Sequence, residues 1–341
     1  MAERTWWRPD IHADRRPFLL ARGQIRTALR SWFEAEGFLE VECGALQVSP
    51  GNEAHLHAFS TRWLAETGEE QVFYLHTSPE FASKKLLAAG ERRIFDFARV
   101  YRNREAGALH APEFTMLEWY RALEPYERVT ADAVALARRA STCLGRDLFS
   151  WRGKTCDPGL DPERLTLAEA FARHAGIDLD RVMEDRTGLA REAARIGVRV
   201  AADDAWSDLF SRILVERIEP HLGEGRLTVL CEYPLCEAAL ARPVASRPAV
   251  AERFELYACG VELANGFGEL TDPVEQRRRF EAEMAEKERR YSERYPLDED
   301  FLKALEIMPE ASGVAMGFDR LVMLATGART ISDVLWTPLT V

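Results

Sequence analysis

Apolar and polar positions alternate along this chain in a way that separates strands from helices. Ile25, Leu29, Trp32 and Phe33 fall on one face of a 3.6-residue period, which predicts an amphipathic helix from Leu20 to Phe38, loosened at its end by Gly37. Phe38–Glu42 then alternates as a strand, and Pro50-Gly51-Asn52 is a turn. Gln71–His76 reads as a strand, and Ser78-Pro79-Glu80 opens a helix that runs through Leu87, with proline in the first turn where it is tolerated. Ile94–Arg102 and Glu113–Tyr120 form two strands joined by a loop from Asn103 to Pro112, too long for a tight hairpin. Residues 121–225 are largely helical in pattern. Leu227–Tyr233 is a strand ended by Pro234, and Pro243–Pro248 is a surface loop. Phe254–Phe267 reads as a hairpin around Gly260, Glu275–Arg294 as a charged helix, and Phe318–Ala325 as an apolar helix after a glycine-containing strand.

No regular strand–helix alternation runs through this order, so a doubly wound parallel sheet is excluded. The fold class expected is α+β, an antiparallel sheet with helices packed against it. Residues 1–17 are expected as an N-terminal arm and 18–341 as one catalytic-sized domain. With 341 residues, 47% of them hydrophobic, the chain can bury a substantial core. The formal net charge of −11 disfavours broad nucleic-acid binding. Six cysteines, Cys43, Cys143, Cys156, Cys231, Cys236 and Cys259, contain no CxxC pair and no neighbouring histidine cluster, which argues against zinc and for thiols in a reducing compartment. Neither a signal-peptide core nor a run of about 20 apolar residues is present, so a cytoplasmic protein with no membrane association is expected.

Three segments carry more polar chemistry than a core requires. The first runs from Arg99 through Arg102 and Glu105 to His110, Glu113, Phe114, Glu118 and Tyr120. The second is Glu262-Leu-Ala-Asn265-Gly-Phe-Gly-Glu269, and the third Gly313-Val-Ala315-Met-Gly317-Phe-Asp319-Arg320. Arg102 and Arg320 are either anion clamps or solvated, salt-bridged side chains. Phe114 either stacks on a base or packs in the sheet. Glu262 and Glu269 either share a hard cation such as Mg²⁺ or lie on the surface. Glu118, in an otherwise apolar strand, needs water or a cationic partner. No Ser-His-Asp, Cys-His or HExxH arrangement is present, and neither Gly-x-Gly-x-x-Gly nor a Walker loop occurs.

Together the segments resemble the three signature motifs of class II aminoacyl-tRNA synthetases. The likeness is strongest to the lysyl enzymes and to their truncated relatives that modify elongation factor P, and covers about residues 17 to 335. The run His110-x-Pro-Glu-Phe-Thr-Met-Leu-Glu-Trp-Tyr-Arg121 and the run Glu262–Asp272 carry it. The resemblance implies an antiparallel six- or seven-stranded sheet flanked by helices. It also implies a homodimer with Leu29–Pro50 at the interface, and two-step chemistry through an aminoacyl adenylate. By the same resemblance Arg102 would hold the α-phosphate and the substrate carboxylate. Phe114 and Arg320 would flank adenine, and His110 would approach the terminal phosphates. Glu262 and Glu269 would bind Mg²⁺. Glu80, Glu118, Tyr120 and Asn265 would line the amino-acid pocket, with Ala315 where tRNA-charging lysyl enzymes have glycine.

One position departs from the pattern. The usual Arg-x-Glu is here Arg102-Asn103-Arg104, with the acid one residue later at Glu105, so either Glu105 reaches the ATP site or that contact is absent. Ala111 replaces the asparagine usual after the loop histidine, and no contact is expected there. With the first motif starting near Leu20, the sequence offers no place for an anticodon-binding barrel. Elongation factor P is therefore expected as the acceptor rather than tRNA, with lysine or (R)-β-lysine as the donor. Another acceptor, such as a tRNA or carrier protein, or a silent paralogue, stays open at this point.

Overall fold

The computed structural model describes residues 5–339. Strands follow in the order β1 (Leu39–Glu40), β2 (Leu46–Gln47), β3 (Phe59–Leu64), β4 (Glu70–Leu75), β5 (Arg93–Tyr101), β6 (Glu113–Ala122), β7 (Phe149–Trp151) and β8 (Lys154–Asp157). They continue with β9 (Glu163–Thr166), β10 (Gly225–Arg226), β11 (Thr228–Pro234), β12 (Pro243–Val244), β13 (Arg247–Ala258), β14 (Val261–Gly268) and β15 (Ala311–Gly317). The α-helices are α1 (Pro9–Ala35), α2 (Glu80–Ala88), α3 (Tyr126–Thr142), α4 (Leu167–Ala170), α5 (Arg186–Arg195), α6 (Trp206–Ile213), α7 (Pro273–Tyr291), α8 (Glu299–Leu305), α9 (Phe318–Thr326) and α10 (Ile331–Val334).

The main sheet has nine strands, in the order β1-β5-β6-β15-β14-β13-β11-β9, with β12 on β13. The six from β5 to β11 pair antiparallel, as the pattern predicts, while the outer pairs β1·β5 and β11·β9 are parallel. The count therefore exceeds the six or seven expected, because short edge strands extend the sheet on both sides. The hairpin expected around Gly260 is present. Cys259 and Gly260 both take positive φ, as a two-residue turn that matches strand twist requires.

Three other expectations change in detail. Helix α1 starts at Pro9, so residues 9–17 are its first turns rather than a separate arm; residues 1–4 lie outside the described part. The segment expected as a loop at Pro243–Pro248 forms the β12–β13 hairpin, tight enough that Val244 pairs with Arg247. The span 121–225 is not uniformly helical: after α3 it includes a small sheet, β7-β8-β10, and edge strand β9.

One face of the sheet is covered by α1, α3 and α9. Ile25, Leu29 and Phe33 of α1 pack with Phe95, Leu117, Trp119, Val314 and Leu321 in the largest hydrophobic cluster. A second cluster, built on Phe171, Leu209, Phe210 and Ile213, leans on the far end through Leu230, Tyr233 and Tyr257. Arg22 of α1 pairs inside this layer with buried Asp319, which also accepts from Thr115 N at 2.7 Å. Removing one partner of a buried pair strands the other charge at a cost of about 3–5 kcal/mol. This pair thus fixes where α9 begins and where Arg320 points. The opposite face carries the polar side chains. No described helix is long and apolar enough to cross a membrane.

Candidate active site

Side chains alternate across a strand, so register decides which of them meet. Asp96, Glu118, Ala315, Asn265 and Glu255 stand opposite one another in one row across β5, β6, β15, β14 and β13. The next row is Ile94, Tyr120, Gly313, Phe267 and Arg253. Glu118, Tyr120, Asn265 and Ala315 therefore meet on one face. Gly313 is required there: a Cβ on it would lie 2.4 Å from the Tyr120 ring and 2.5 Å from Glu269.

Above these rows is a cavity of about 780 Å³. Of the residues singled out by sequence, Glu80, Arg102, Glu105, His110, Phe114, Glu262, Asn265, Ala315 and Arg320 line it. Glu118, Tyr120 and Glu269 do not; they form its buried floor. Ser78 Oγ and Tyr120 Oη both donate to Glu118, the latter at 2.8 Å. The fully buried Lys84 Nζ stands 2.5 Å from Glu80 and 2.6 Å from Glu269. Two carboxylates thus share a single ammonium, and Glu118, held by Ser78 and Tyr120, is a third acid of this floor. Burial, reinforced by Glu80, pushes the Glu118 carboxyl up to about 8. Burial also lifts Glu269 to about 7, against the pull of Lys84.

The other end of the cavity is cationic. Arg102, at the end of β5, donates from Nε to Thr77 O at 3.3 Å, and its guanidinium carbon lies 5.4 Å over the Phe114 ring. Arg320 reaches His110 Nε2 at 2.8 Å, Glu262 O at 3.1 Å and Glu262 Oε2 at 3.5 Å. Burial first and Arg320 second lower the His110 pKa, so the ring is neutral near pH 7 and can accept from the guanidinium. Arg104 takes φ 64 and turns away to pair with Glu293 beyond α7, over the Tyr291 ring. Glu105, not residue 104, lines the cavity, 4.0 Å from Arg102.

The carboxylate pair expected for Mg²⁺ is not one pair in the fold. Glu262 and Glu269 sit at the two ends of β14, on the order of 20 Å apart for seven extended residues. Two oxygens on one Mg²⁺ can be no more than about 4 Å apart. Glu269 is also occupied by Lys84. On the neighbouring strand β13, Glu255 is an acid whose charge acts on Glu262. A bulge places Leu263 as an extra residue between Glu262, opposite Tyr257, and Ala264, opposite Leu256. That extra residue turns Glu262 onto the face of Asn265 and Glu255. After burial itself, Glu255 is the strongest influence raising the Glu262 pKa. Arg253, Tyr233 and Tyr257 each donate to Glu255 at 2.6 Å. Glu255 is thus occupied by three donors as Glu269 is by Lys84, and of the expected pair Glu262 is the carboxylate that lines the cavity.

Glu255 carries the same signal that singled out Glu118, an acid inside an apolar strand, Phe254-Glu255-Leu256-Tyr257. Lys84 was also legible, as a charge on the buried face of α2 with Phe81 and Leu87. Glu53, which lines the cavity from the Pro50–Asn52 turn, had no such signal.

A family model described as tRNA synthetases class II (D, K and N) matches residues 11–341. The protein named elongation factor P–(R)-beta-lysine ligase from Salmonella arizonae is 38% identical over 339 residues, 98% of this chain and 98% of its own. Proteins of the same name from Pectobacterium carotovorum and Klebsiella pneumoniae are each 37% identical over the same shares.

Proposed function

The chain belongs to the class II tRNA synthetases of the D, K and N group, and on that premise we propose that it is an ATP-dependent ligase that attaches (R)-β-lysine or lysine to elongation factor P. The observation that carries this reading is the charge layout of the cavity. Two arginines stand at one end, and at the other Glu80 and Glu269 share Lys84 beside the buried Glu118 carboxyl. A diamino acid whose carboxylate is joined to a nucleotide phosphate matches both ends. The names of the relatives support elongation factor P as the acceptor and (R)-β-lysine as the donor. An acidic chain with net charge −11 also favours a protein acceptor over tRNA.

In the first step the substrate carboxylate attacks the α-phosphorus in line and pyrophosphate leaves. Arg102 bridges the carboxylate and the α-phosphate, neutralising charge that develops at phosphorus. Phe114 stacks on adenine, Glu105 accepts from its exocyclic amine, and Arg320 with His110 receives the terminal phosphates. Glu262 would contribute a carboxylate to Mg²⁺, which would supply charge neutralisation and orientation of phosphate oxygens. Glu80, Asn265 and the Glu118–Tyr120 floor hold the amino groups. In the second step the ε-amine of the acceptor lysine attacks the acyl carbon, an amide forms and AMP leaves. No protein nucleophile is needed. Exposed Leu39, Leu46 and Val48 in the Leu29–Pro50 segment support a homodimer. A monomer in sedimentation at working concentration would remove that part of the reading.

Amino-acid-dependent ATP–pyrophosphate exchange, followed by transfer of labelled amino acid to purified elongation factor P or bulk tRNA, tests the assignment. Exchange with labelled elongation factor P is expected. Exchange with labelled tRNA alone would move the function to another acceptor, and no exchange with either lysine would end the proposal.

Ala315 bears on which lysine is preferred. Its Cβ stands between Glu118 and Asn265 and packs with Ala98, Val100 and Met116. A methyl group in such a pocket is worth about 1–3 kcal/mol of discrimination. Ala315→Gly should raise exchange with α-lysine relative to (R)-β-lysine at least about tenfold. An unchanged ratio, or a wild-type preference for α-lysine, would refute a role for this methyl.

A further inference from the structure

The turn that carries Glu53 is tied down on both sides. Thr77 donates to Pro50 O from its backbone N at 3.2 Å and from Oγ1 at 2.8 Å. Beyond the turn, Ala54 N donates to Glu283 of α7 at 2.8 Å. Lys287 Nζ donates to Ala54 O at 3.0 Å and Leu56 O at 2.6 Å. The backbone on each side of Glu53 is thereby fixed to the lead-in of α2 and to α7. The Glu53 side chain takes part in none of these bonds and lines the cavity.

Every other carboxylate lining the cavity is engaged. Glu80 meets Lys84, Glu105 meets Arg102, Glu237 accepts from Ser207, Glu283 accepts from Ala54 N, Asp208 and Glu286 pair with Arg290, Glu262 with Arg320 and Asp319 with Arg22. Among the described residues, Glu53 is the cavity carboxylate with no hydrogen-bond or ion-pair partner. Its charged neighbours are Arg102 at the end of β5, Glu80 at the start of α2, Glu283 and Lys287 on α7, and Arg253 on β13. Arg102 and Glu80 are the groups assigned above to the two sides of the acyl carbon. Glu53 is an unpaired carboxylate lining the same cavity as both, and the charges of both act on it.

We infer that Glu53 is the general base of acyl transfer, removing the proton that keeps the acceptor amine from attacking. The inference rests on the adenylate chemistry proposed above. A lysine ε-amine has a pKa near 10.4 and arrives as an ammonium with no lone pair. Glu53 takes one proton, and the freed lone pair forms the C–N bond at the acyl carbon. The acyl C–O bond to phosphate breaks, and AMP leaves with that electron pair. The nitrogen then loses its second proton to solvent, and Glu53 releases the first, so the acyl adenylate and the ammonium yield the amide, AMP and two protons. Burial chiefly, opposed by Arg102 and reinforced by Glu80, raises the Glu53 carboxyl to about 7, which suits a base working near neutral pH.

Glu53→Gln keeps the shape and removes the base. Two small acceptors separate the roles. Nα-acetyl-lysine amide presents a protonated ε-amine, while hydroxylamine is largely unprotonated at neutral pH. The variant should transfer the activated amino acid to elongation factor P and to Nα-acetyl-lysine amide about 100-fold more slowly than the parent. It should form hydroxamate from hydroxylamine at close to the parental rate, and the pH–rate profile of transfer should lose its limb near neutrality. Glu53→Asp should restore part of the rate. Parallel loss of hydroxamate and amide formation would mark Glu53 as structural and overturn the inference, as would undiminished transfer to Nα-acetyl-lysine amide. A parent enzyme that labels the small amine but not elongation factor P would refute the acceptor assignment alone and leave the Glu53 comparison intact.

Discussion

Arg102→Ala should lower amino-acid-dependent ATP–pyrophosphate exchange about a thousandfold, the scale seen when a guanidinium that stabilises phosphoryl-transfer charge is lost. Arg102 stands at the end of β5 over the Phe114 ring, with its side chain partly exposed and a single hydrogen bond to Thr77 O. Little of the fold depends on it, so thermal stability should stay near that of the parent. Its planar fork can hold a carboxylate and a phosphate oxygen at once, which a point charge cannot. Arg102→Lys should therefore recover only part of the rate. Exchange within tenfold of the parent after Arg102→Ala would remove Arg102 from the adenylation step.

The second large effect is expected at the other end of the cavity. Glu80→Gln should raise the KM for (R)-β-lysine or lysine about 100-fold, the cost of leaving a desolvated ammonium without its counter-charge. The KM for ATP should move little, because the contacts proposed for ATP lie at the arginine end. The same floor makes amino-acid binding pH-dependent. Glu118 at about 8 and Glu269 at about 7 are largely protonated below neutrality, while the substrate's ε-amine stays charged until about pH 10. Raising pH from about 6 to about 8.5 ionises the floor, so the KM for the amino acid should fall over that range. Stability without the amino acid should run the opposite way. Both carboxyls titrate above the 4.5 of an unperturbed glutamate, so the native state keeps protons that the unfolded chain has lost. Stability is then greatest below that value and declines as pH rises through about 7 and 8. A KM that is flat across this range, or that Glu80→Gln leaves unchanged, would exclude these carboxylates from amine binding.

Much of this protein was legible in one dimension. The strands at Arg93–Tyr101, Glu113–Ala122 and Val261–Gly268, the turn at Gly260 and helices α2, α7 and α9 follow from local periodicity and turn chemistry. Arg102, Phe114 and Glu118 stood out because they are polar or aromatic groups that alternation alone does not demand. Glu105 was visible as an acid displaced by one residue. Its entry into the cavity depended on Arg104 adopting a left-handed φ and turning out to Glu293, a contact 189 residues away in sequence.

Pairing across the sheet decided the rest. Seven residues separate Glu262 from Glu269, and seven also separate Glu255 from Glu262, so spacing could not choose between the two pairs. The first stretch stays on one extended strand and carries its ends far apart. The second folds back through the turn at Gly260, and the bulge at Leu263 brings its acids onto one face. The partner of Lys84 was likewise undefined until β14 had paired with β15 and brought Glu269 over α2. Glu53 gained its place only when its turn was bound to Thr77 on one side and α7 on the other. By itself the sequence determined the elements, the chemistry available and the family that chemistry resembles, because these rest on neighbours within a few residues. The tertiary structure alone decided which charges meet and which carboxylate is left without a partner, because those contacts join strands and helices far apart along the chain.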